Sequence, residues 1–169
     1  MKWVALGLAA SIITGILGTV RAGRAGEPAD AERQFTLRPI GVVQKDDDRT
    51  RIVLDEQYRE GLLGLEGWSH VWVFWWFDRN DSPERRAVLQ VHPRGNRANP
   101  LTGVFATRSP VRPNLIALTL CKITAVEGNV VELEKIDAFE GTPVLDMKPY
   151  IPGYDTAKDA SVPEWMERK

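Results

Sequence analysis

Residues 68–77 read WSHVWVFWWF, a run in which almost every residue is apolar and most are aromatic. In an extended chain, alternate side chains face opposite sides. One side would then carry Val71, Val73 and Trp75, and the other Trp72, Phe74 and Trp76. Because both sides are apolar, we predict a strand that is covered on both faces. One face lines the interior of a barrel, and the other meets a helix or a second subunit.

The sequence on either side of this run also favours strands, because branched residues alternate between turns rich in Gly and Pro. Strands are predicted at 35–44, 51–54, 87–94 and 103–107, and a β-hairpin at 115–139 with its turn at residues 127–129. The prolines and glycines of residues 140–155 predict an irregular segment. One helical turn is expected within 56–67 and a short helix at 164–168. The fold class is therefore mainly β, a small β-barrel with short helices.

The first 25 residues form an apolar leader that precedes the barrel. Lys2 is followed by Trp3–Val20, which holds no charged residue, and small residues then suit signal-peptide cleavage. As a helix, this apolar run would reach about 27 Å, which just spans a bilayer. We expect residues 1–25 to be a signal peptide or an uncleaved membrane anchor that acts through residues 3–20. A linker at 26–34, the barrel at 35–155 and a tail at 156–169 follow.

Composition excludes several classes of site. The chain has one cysteine and two histidines, so a disulfide framework and a Cys- or His-rich metal site are excluded, and no metal is expected. The dinucleotide, P-loop and nucleophile-elbow motifs are absent. All 23 acidic residues lie beyond residue 26, whereas three of the 22 basic ones precede it, so the chain without its leader carries a net charge of −4. Any nucleic-acid contact must therefore use a local basic patch.

Residues 103–114, GVFATRSPVRPN, place Arg108 and Arg112 beside an apolar run with no acidic neighbour in the segment. Arginine is seldom buried without a partner, so these side chains either lie on the surface or bind an anion. Two more polar clusters lie among apolar strands, Ser69-His70 and a group at 137–150. Each has a structural interpretation: a strand-end histidine, solvated loop charges, or a same-face ion pair between Asp146 and Lys148. Together they suit a pocket for a polar, purine-bearing ligand.

Four motifs, in this order, resemble the TsaA-like (TrmO) family of tRNA methyltransferases. They are RPIGVV at 38–43, GLEGWSHVWVFWWF at 64–77, GVFATRSPVRPN with IALT at 103–119, and IDAFEGTPVLDMKPYIPGYD at 136–155. The resemblance implies a small β-barrel and S-adenosylmethionine bound near a homodimer interface. It also implies methylation of N6 in threonylcarbamoyl-adenosine at position 37 of tRNA, beside the anticodon.

The resemblance also assigns roles to the matching residues. Arg108 and Arg112 would meet an anion, either the cofactor carboxylate or a tRNA phosphate. Asp146 would accept a hydrogen bond from the cofactor's ribose or amino group, and His70 would orient the cofactor or take the proton from N6. The implied catalytic residues are His70, Asp146 and Tyr150. The implied cofactor-binding residues are Arg108, Ser109, Arg112, Asn114, Asp137, Thr142 and Lys148.

Three hypotheses remain open from the sequence. The first is a tRNA-modifying methyltransferase that works in the cytoplasm, as the resemblance implies. The second is a methyltransferase of the same fold that acts on a small molecule, and the third is a non-enzymatic binder of a nucleoside-like ligand. The pocket motifs favour the first two, whereas the acidic net charge and the leader, which indicates export or membrane anchoring, favour the last two.

Overall fold

The computed structural model describes residues 34–46 and 48–167. The described strands all lie in a compact unit that begins at Thr36. They are β1 (Gly41–Lys45), β2 (Thr50–Leu54), β3 (His70–Trp76), β4 (Gln90–Val91), β5 (Thr102–Gly103), β6 (Ile116–Glu127), β7 (Val130–Leu133) and β8 (Pro143–Pro149). Six of them close an antiparallel barrel in the order β1-β2-β7-β6-β3-β8, and β4 pairs with β5 in a small separate sheet.

Helical structure in the described residues is confined to short pieces between the strands. The α-helices are α1 (Pro83–Arg86), α2 (Pro152–Asp155) and α3 (Glu164–Glu167). The 3-10 helices are Glu56–Leu62, Leu65–Gly67, Asp78–Asn80, Pro93–Gly95 and Val104–Ala106. This confirms the predicted class, a mainly β barrel with short helices.

The tryptophan-rich run forms β3 and lies between β6 and β8 in the barrel, so that both of its edges are paired. Its side chains alternate as predicted. Val71 and Val73 are fully buried and Trp75 nearly so, whereas Trp72, Phe74 and Trp76 face outward and are half-buried. The inward residues pack with Val43, Ile52, Cys121, Val131 and Val144 in one core cluster. Apolar burial of this kind is the main stabilising term of a small barrel.

The prediction of an irregular segment at residues 140–155 was wrong for its middle part. We expected an irregular segment, but Pro143–Pro149 is strand β8, which pairs with both β1 and β3 and closes the barrel. The two prolines occupy its first and last positions, where the missing N–H interrupts the ladder least. The predicted strands at 35–44 and 87–94 are shorter in the structure, and residues 104–106 form a 3-10 helix instead of a strand. The hairpin of β6 and β7, with Gly128 in its turn at φ 60°, is confirmed.

The proposed signal peptide or anchor at residues 1–25 lies outside the described residues. Among the residues that are described, no helix is long and apolar enough to cross a membrane.

Candidate functional site

Two clefts open on either side of the loop at residues 105–110. The first, here called the barrel-side cleft, has a volume of about 1050 Å³. It is lined by Lys45, Trp72, Trp75, residues 77–80, Phe105, Thr107, Arg108, Pro110, Arg112, residues 116–120 and residues 137–139. The second, the C-terminal cleft, has a volume of about 1300 Å³ and is lined by residues 91–95, 97, 105–110, 162, 163, 165 and 166.

The loop between the clefts is held by its own hydrogen bonds. The Thr107 hydroxyl donates to the Val104 carbonyl at 3.0 Å and accepts from the Ser109 backbone N–H at 3.2 Å. Arg112 donates from Nη1 to the Thr107 carbonyl at 3.3 Å. Arg108, in contrast, makes no hydrogen bond or ion pair within the described part of the chain, and it lines both clefts. The loop therefore presents a guanidinium that is available to an anionic ligand.

The barrel-side cleft combines opposite charges with aromatic walls. Asp78 and Asp137 supply carboxylates, and the Arg79 guanidinium lies 3.9 Å from the centre of the Phe139 ring. The Lys45 ammonium donates to the Ile136 carbonyl at 2.9 Å, which ties β1 to the segment that carries Asp137. Such a lining can bind the polar groups and the ring of a zwitterionic, purine-bearing molecule at the same time.

A helix beside the loop supports its far end. Arg86 of α1 donates from Nε to Asp81 Oδ1 at 2.7 Å and from Nη1 to the Pro113 carbonyl at 3.2 Å. The Trp76 indole donates to the other Asp81 oxygen at 3.0 Å. The hydrogen bond from Arg86, with that from Trp76, holds the pKa of Asp81 below its ordinary value, because both stabilise the carboxylate.

Four of the predicted residues form a separate group on the outer barrel face, which we define as the outward side chains of β3, β6 and β8 together with Tyr150, directly after β8. They are His70, Asp146, Lys148 and Tyr150. The His70 and Tyr150 rings meet edge to face with centroids 6.4 Å apart, and Trp72 meets Tyr150 at 6.0 Å. Asp146 and Lys148 form the same-face ion pair that the sequence suggested, at 2.9 Å, and both are well exposed. The position of His70 at the first residue of β3 agrees with its interpretation as a strand-end histidine.

The structure thus divides the predicted site residues. Arg108, Arg112 and Asp137 share the barrel-side cleft, and Ser109 lines the C-terminal cleft. Asn114 is exposed and lines neither. Thr142 is fully buried, and its hydroxyl has no hydrogen-bond partner among the described residues. Among those residues, too, no cluster of carboxylate, His or Cys side chains is suited to hold a metal ion.

Sequence reasoning missed several residues of the cleft. The sequence assigned no site role to residues 77–80, yet Phe77, Asp78, Arg79 and Asn80 all line the barrel-side cleft. Their position directly after β3, where the strand leaves the barrel, was the available signal. Lys45 at the end of β1 and Phe139 after β7 also line this cleft and were not predicted as site residues.

Comparison with known proteins identifies the family. The TrmO_N family, described as the tRNA-methyltransferase O N-terminal domain, matches residues 33–156. The chain belongs to this family. The TrmO_N match includes the whole barrel and the loop that carries Arg108, and it ends before the C-terminal segment that lines the second cleft.

Several proteins resemble this TrmO_N chain. A probable S-adenosyl-L-methionine-binding protein of Methanocaldococcus jannaschii is 44% identical over 124 residues, which cover 73% of this chain and 98% of the archaeal protein. A mouse tRNA (adenine(37)-N6)-methyltransferase is 52% identical over 101 residues, 60% of this chain but 23% of the mouse protein. The crystal structure of TrmO from Pseudomonas aeruginosa matches at a TM-score of 0.60 with 30% identity, covering 78% of this chain and 61% of the bacterial one.

Proposed function

We propose that this chain is an S-adenosylmethionine-dependent methyltransferase whose acceptor is N6 of threonylcarbamoyl-adenosine at position 37 of tRNA. The observation that carries the proposal is the Arg108 guanidinium, which has no partner among the described residues, in a cleft that also holds two carboxylates and aromatic walls. The chain's membership of the TrmO_N family supports the same activity, as do relatives named as S-adenosyl-L-methionine-binding proteins and as tRNA methyltransferases.

The residues of the barrel-side cleft fit this cofactor. Arg108 suits the methionyl carboxylate, because a guanidinium binds a carboxylate through paired, charge-assisted hydrogen bonds. Asp78 and Asp137 suit the amino group and the ribose hydroxyls, which are donors. The aromatic side chains of Phe105 and Phe139 suit the adenine ring. The cofactor supplies an activated methyl group on a sulfonium, next to which the protein must hold an acceptor nitrogen.

The protein's part in the reaction is positioning. The N6 lone pair forms a bond to the methyl carbon as the carbon–sulfur bond breaks, and N6 then loses its proton. Aligning the two reactants accounts for much of the rate in such an in-line displacement. We assign the proton to His70 or, through water, to Asp146, and the orientation of the acceptor to Tyr150 and Lys148.

We further propose that a second copy of the chain completes the site. Ile116, Leu118 and Leu120 of the outer barrel face are more than a third exposed and also line the barrel-side cleft. The residues assigned to catalysis lie on this same face, outside the lining of either cleft. A two-fold dimer through this face would cover the apolar stripe and bring the polar group of one protomer to the cleft of the other.

The test is methyl transfer to tRNA that carries threonylcarbamoyl-adenosine, with tRNA lacking this modification as the control. We expect transfer from labelled S-adenosylmethionine to the modified tRNA alone. Calorimetry on the same protein measures cofactor binding independently. Cofactor binding without transfer to tRNA would leave a small-molecule acceptor, and no cofactor binding would leave a non-enzymatic binder.

A further inference from the structure

The C-terminal cleft is built partly from residues outside the family match. Val162, Pro163, Trp165 and Met166 form one wall, and the TrmO_N match ends at residue 156. The opposite wall is the loop at 105–110, which the C-terminal cleft shares with the barrel-side cleft through Phe105, Thr107, Arg108 and Pro110. A molecule held in one cleft therefore lies next to a molecule held in the other.

The described residues that line the C-terminal cleft carry charge of one sign. Arg94, Arg97 and Arg108 are among them, and none of these described residues is acidic. Arg97 and Arg108 have no hydrogen bond or ion pair among the residues that the structure describes. On a chain with an acidic balance outside its first 26 residues, a cleft whose described lining holds three arginines and no carboxylate indicates an anionic ligand.

Hydrogen bonds from Asn99 hold the turn at residues 92–95, which lines this cleft. Asn99 is buried, and its side-chain Nδ2 donates to the Pro93 carbonyl at 2.9 Å. The backbone carbonyl oxygen of Asn99 lies 2.8 Å from His92 Nδ1. Arg94 has φ 59° and ψ 17°, a left-handed conformation that non-glycine residues seldom adopt. Its Nη2 lies 3.9 Å from the Met166 sulfur. The strained turn therefore directs Arg94 toward the C-terminal segment.

Aromatic side chains lie within reach of these charges. Phe105 is largely exposed, and Trp165 lies in α3 on the facing wall. Aromatic platforms among arginines bind single-stranded nucleic acid, because the rings stack on unpaired bases and the guanidiniums contact phosphates. Duplex RNA offers phosphates but no free base faces.

We propose that the C-terminal cleft holds an unpaired nucleotide of an RNA loop, with its base stacked on Trp165 and its flanking phosphates on Arg94 and Arg97. The identity of the RNA rests on the proposed function. The inference adds a second binding element, residues 162–166, which hold the RNA loop beside the cofactor. Residues 162–166 thus act as a substrate-binding wall on the barrel.

The test compares Trp165→Ala with Tyr154→Ala, an aromatic that is highly exposed and outside both clefts. The probes are a short RNA stem-loop with the anticodon-loop sequence and an RNA duplex of equal charge, and binding is measured by fluorescence anisotropy without cofactor. Losing one stacked base should weaken binding of the stem-loop by about five- to a hundred-fold. Trp165→Phe should restore most of it. Duplex binding and S-adenosylmethionine affinity should not change.

Equal stem-loop affinities for Trp165→Ala and Tyr154→Ala would overturn the inference, and so would wild-type protein that binds duplex as tightly as the stem-loop. Because the assay contains no cofactor and no transfer step, a Trp165-dependent preference for the stem-loop supports the inference even if methyl transfer to tRNA fails. Methyl transfer that is insensitive to Trp165 would leave the proposed function intact while removing this role for the C-terminal segment.

Discussion

Arg108 owes its availability to its neighbours. The Ser109 N–H donates to the Thr107 hydroxyl, which itself donates to the Val104 carbonyl, and Arg112 donates to the Thr107 carbonyl. Because these neighbouring groups bond to one another, no described residue competes with an anion for the Arg108 guanidinium.

Replacing Arg108 by Ala should weaken S-adenosylmethionine binding. Losing a charge-assisted hydrogen bond costs about 1.5–3 kcal/mol, which is roughly ten- to a hundred-fold in affinity. Isothermal calorimetry would measure it. Arg59→Ala, which removes a guanidinium that pairs with Glu56 outside both clefts, is the matched control. Equal affinities in the two variants would contradict the assignment of Arg108.

The buried Cys121 thiol makes the stability of the protein depend on pH in the alkaline range. Its thiol lies inside the barrel, and burial raises the pKa from 9.0 to about 12 because it disfavours the thiolate. The folded state therefore keeps the neutral thiol at pH values where the unfolded state loses its proton. This contribution to stability is complete below about pH 9 and is lost progressively as the pH rises toward 12.

Between these pH values, the free energy of unfolding measured with denaturant should fall by roughly 1.4 kcal/mol per pH unit. Cys121→Ala should lose this part of the pH dependence while being less stable at neutral pH. Native protein should also react with a thiol reagent at the rate of unfolding. Rapid reaction of the folded protein at neutral pH would show that the thiol is accessible.

At the scale of the elements, the sequence predicted strands best where alternation and branching agreed. The β3 strand and the β6–β7 hairpin were predicted correctly because their patterns are local. β8 was missed, since its two prolines and the following Pro152-Gly153 resemble a loop in the sequence. It is a strand because it pairs with β1 and β3, and this pairing depends on tertiary structure rather than on local sequence.

Prediction of the candidate site from the sequence was limited in the same way, because local patterns do not encode long-range pairing. Arg108 and Arg112 were recognisable because two charges stand in an apolar context. The grouping of His70 with Asp146 and Tyr150, apart from the cleft, depends on the register of β3 with β8. No local pattern encodes that register, and the role of residues 162–166 depends on a loop far away in sequence.

Gly41 fixes the close pairing of β1 and β2. A Cβ at this position would lie 2.3 Å from the Val53 carbonyl oxygen and 2.7 Å from Leu54 Cα, both backbone atoms that cannot move aside. Gly41→Ala should therefore destabilise the barrel by about 1–3 kcal/mol, as overpacking does. Gly61→Ala, where nothing lies within 4 Å, should be nearly neutral. Denaturant unfolding of both variants distinguishes a steric cause from a general effect of losing glycine.

At the scale of the whole molecule, the outer barrel face should pair two copies. Phe74 lies near the middle of this face, between Leu118 and Asp146. Phe74→Glu places a carboxylate in the interface next to Asp146, so light scattering should show monomers where the unaltered protein gives dimers. Leu89→Glu alters an exposed leucine outside this face and should leave the dimer intact. A monomeric wild-type protein at micromolar concentration would contradict the interface.

Binding of tRNA to a chain with an acidic balance depends on a local patch of arginines. Arg94 and Arg97 line the C-terminal cleft and Arg112 lines the barrel-side cleft, and the two clefts meet at Arg108. A patch of this size neutralises few phosphates, so the plot of log affinity against log salt should have a slope of only about −2 to −3.

Arg97 is the residue of this patch to change, because it lies outside the barrel-side cleft. Arg97→Glu should lower tRNA methylation at low salt and reduce the slope by about one unit or more, while calorimetry shows unchanged S-adenosylmethionine binding. Arg59→Glu, the same charge reversal away from both clefts, should leave the slope unchanged. If wild-type transfer is robust and insensitive both to salt and to Arg97→Glu, the tRNA must approach over another surface. The acidic remainder of the molecule would then have to be covered by a second copy or by counterions, because repulsion between like charges prevents tRNA from contacting it directly.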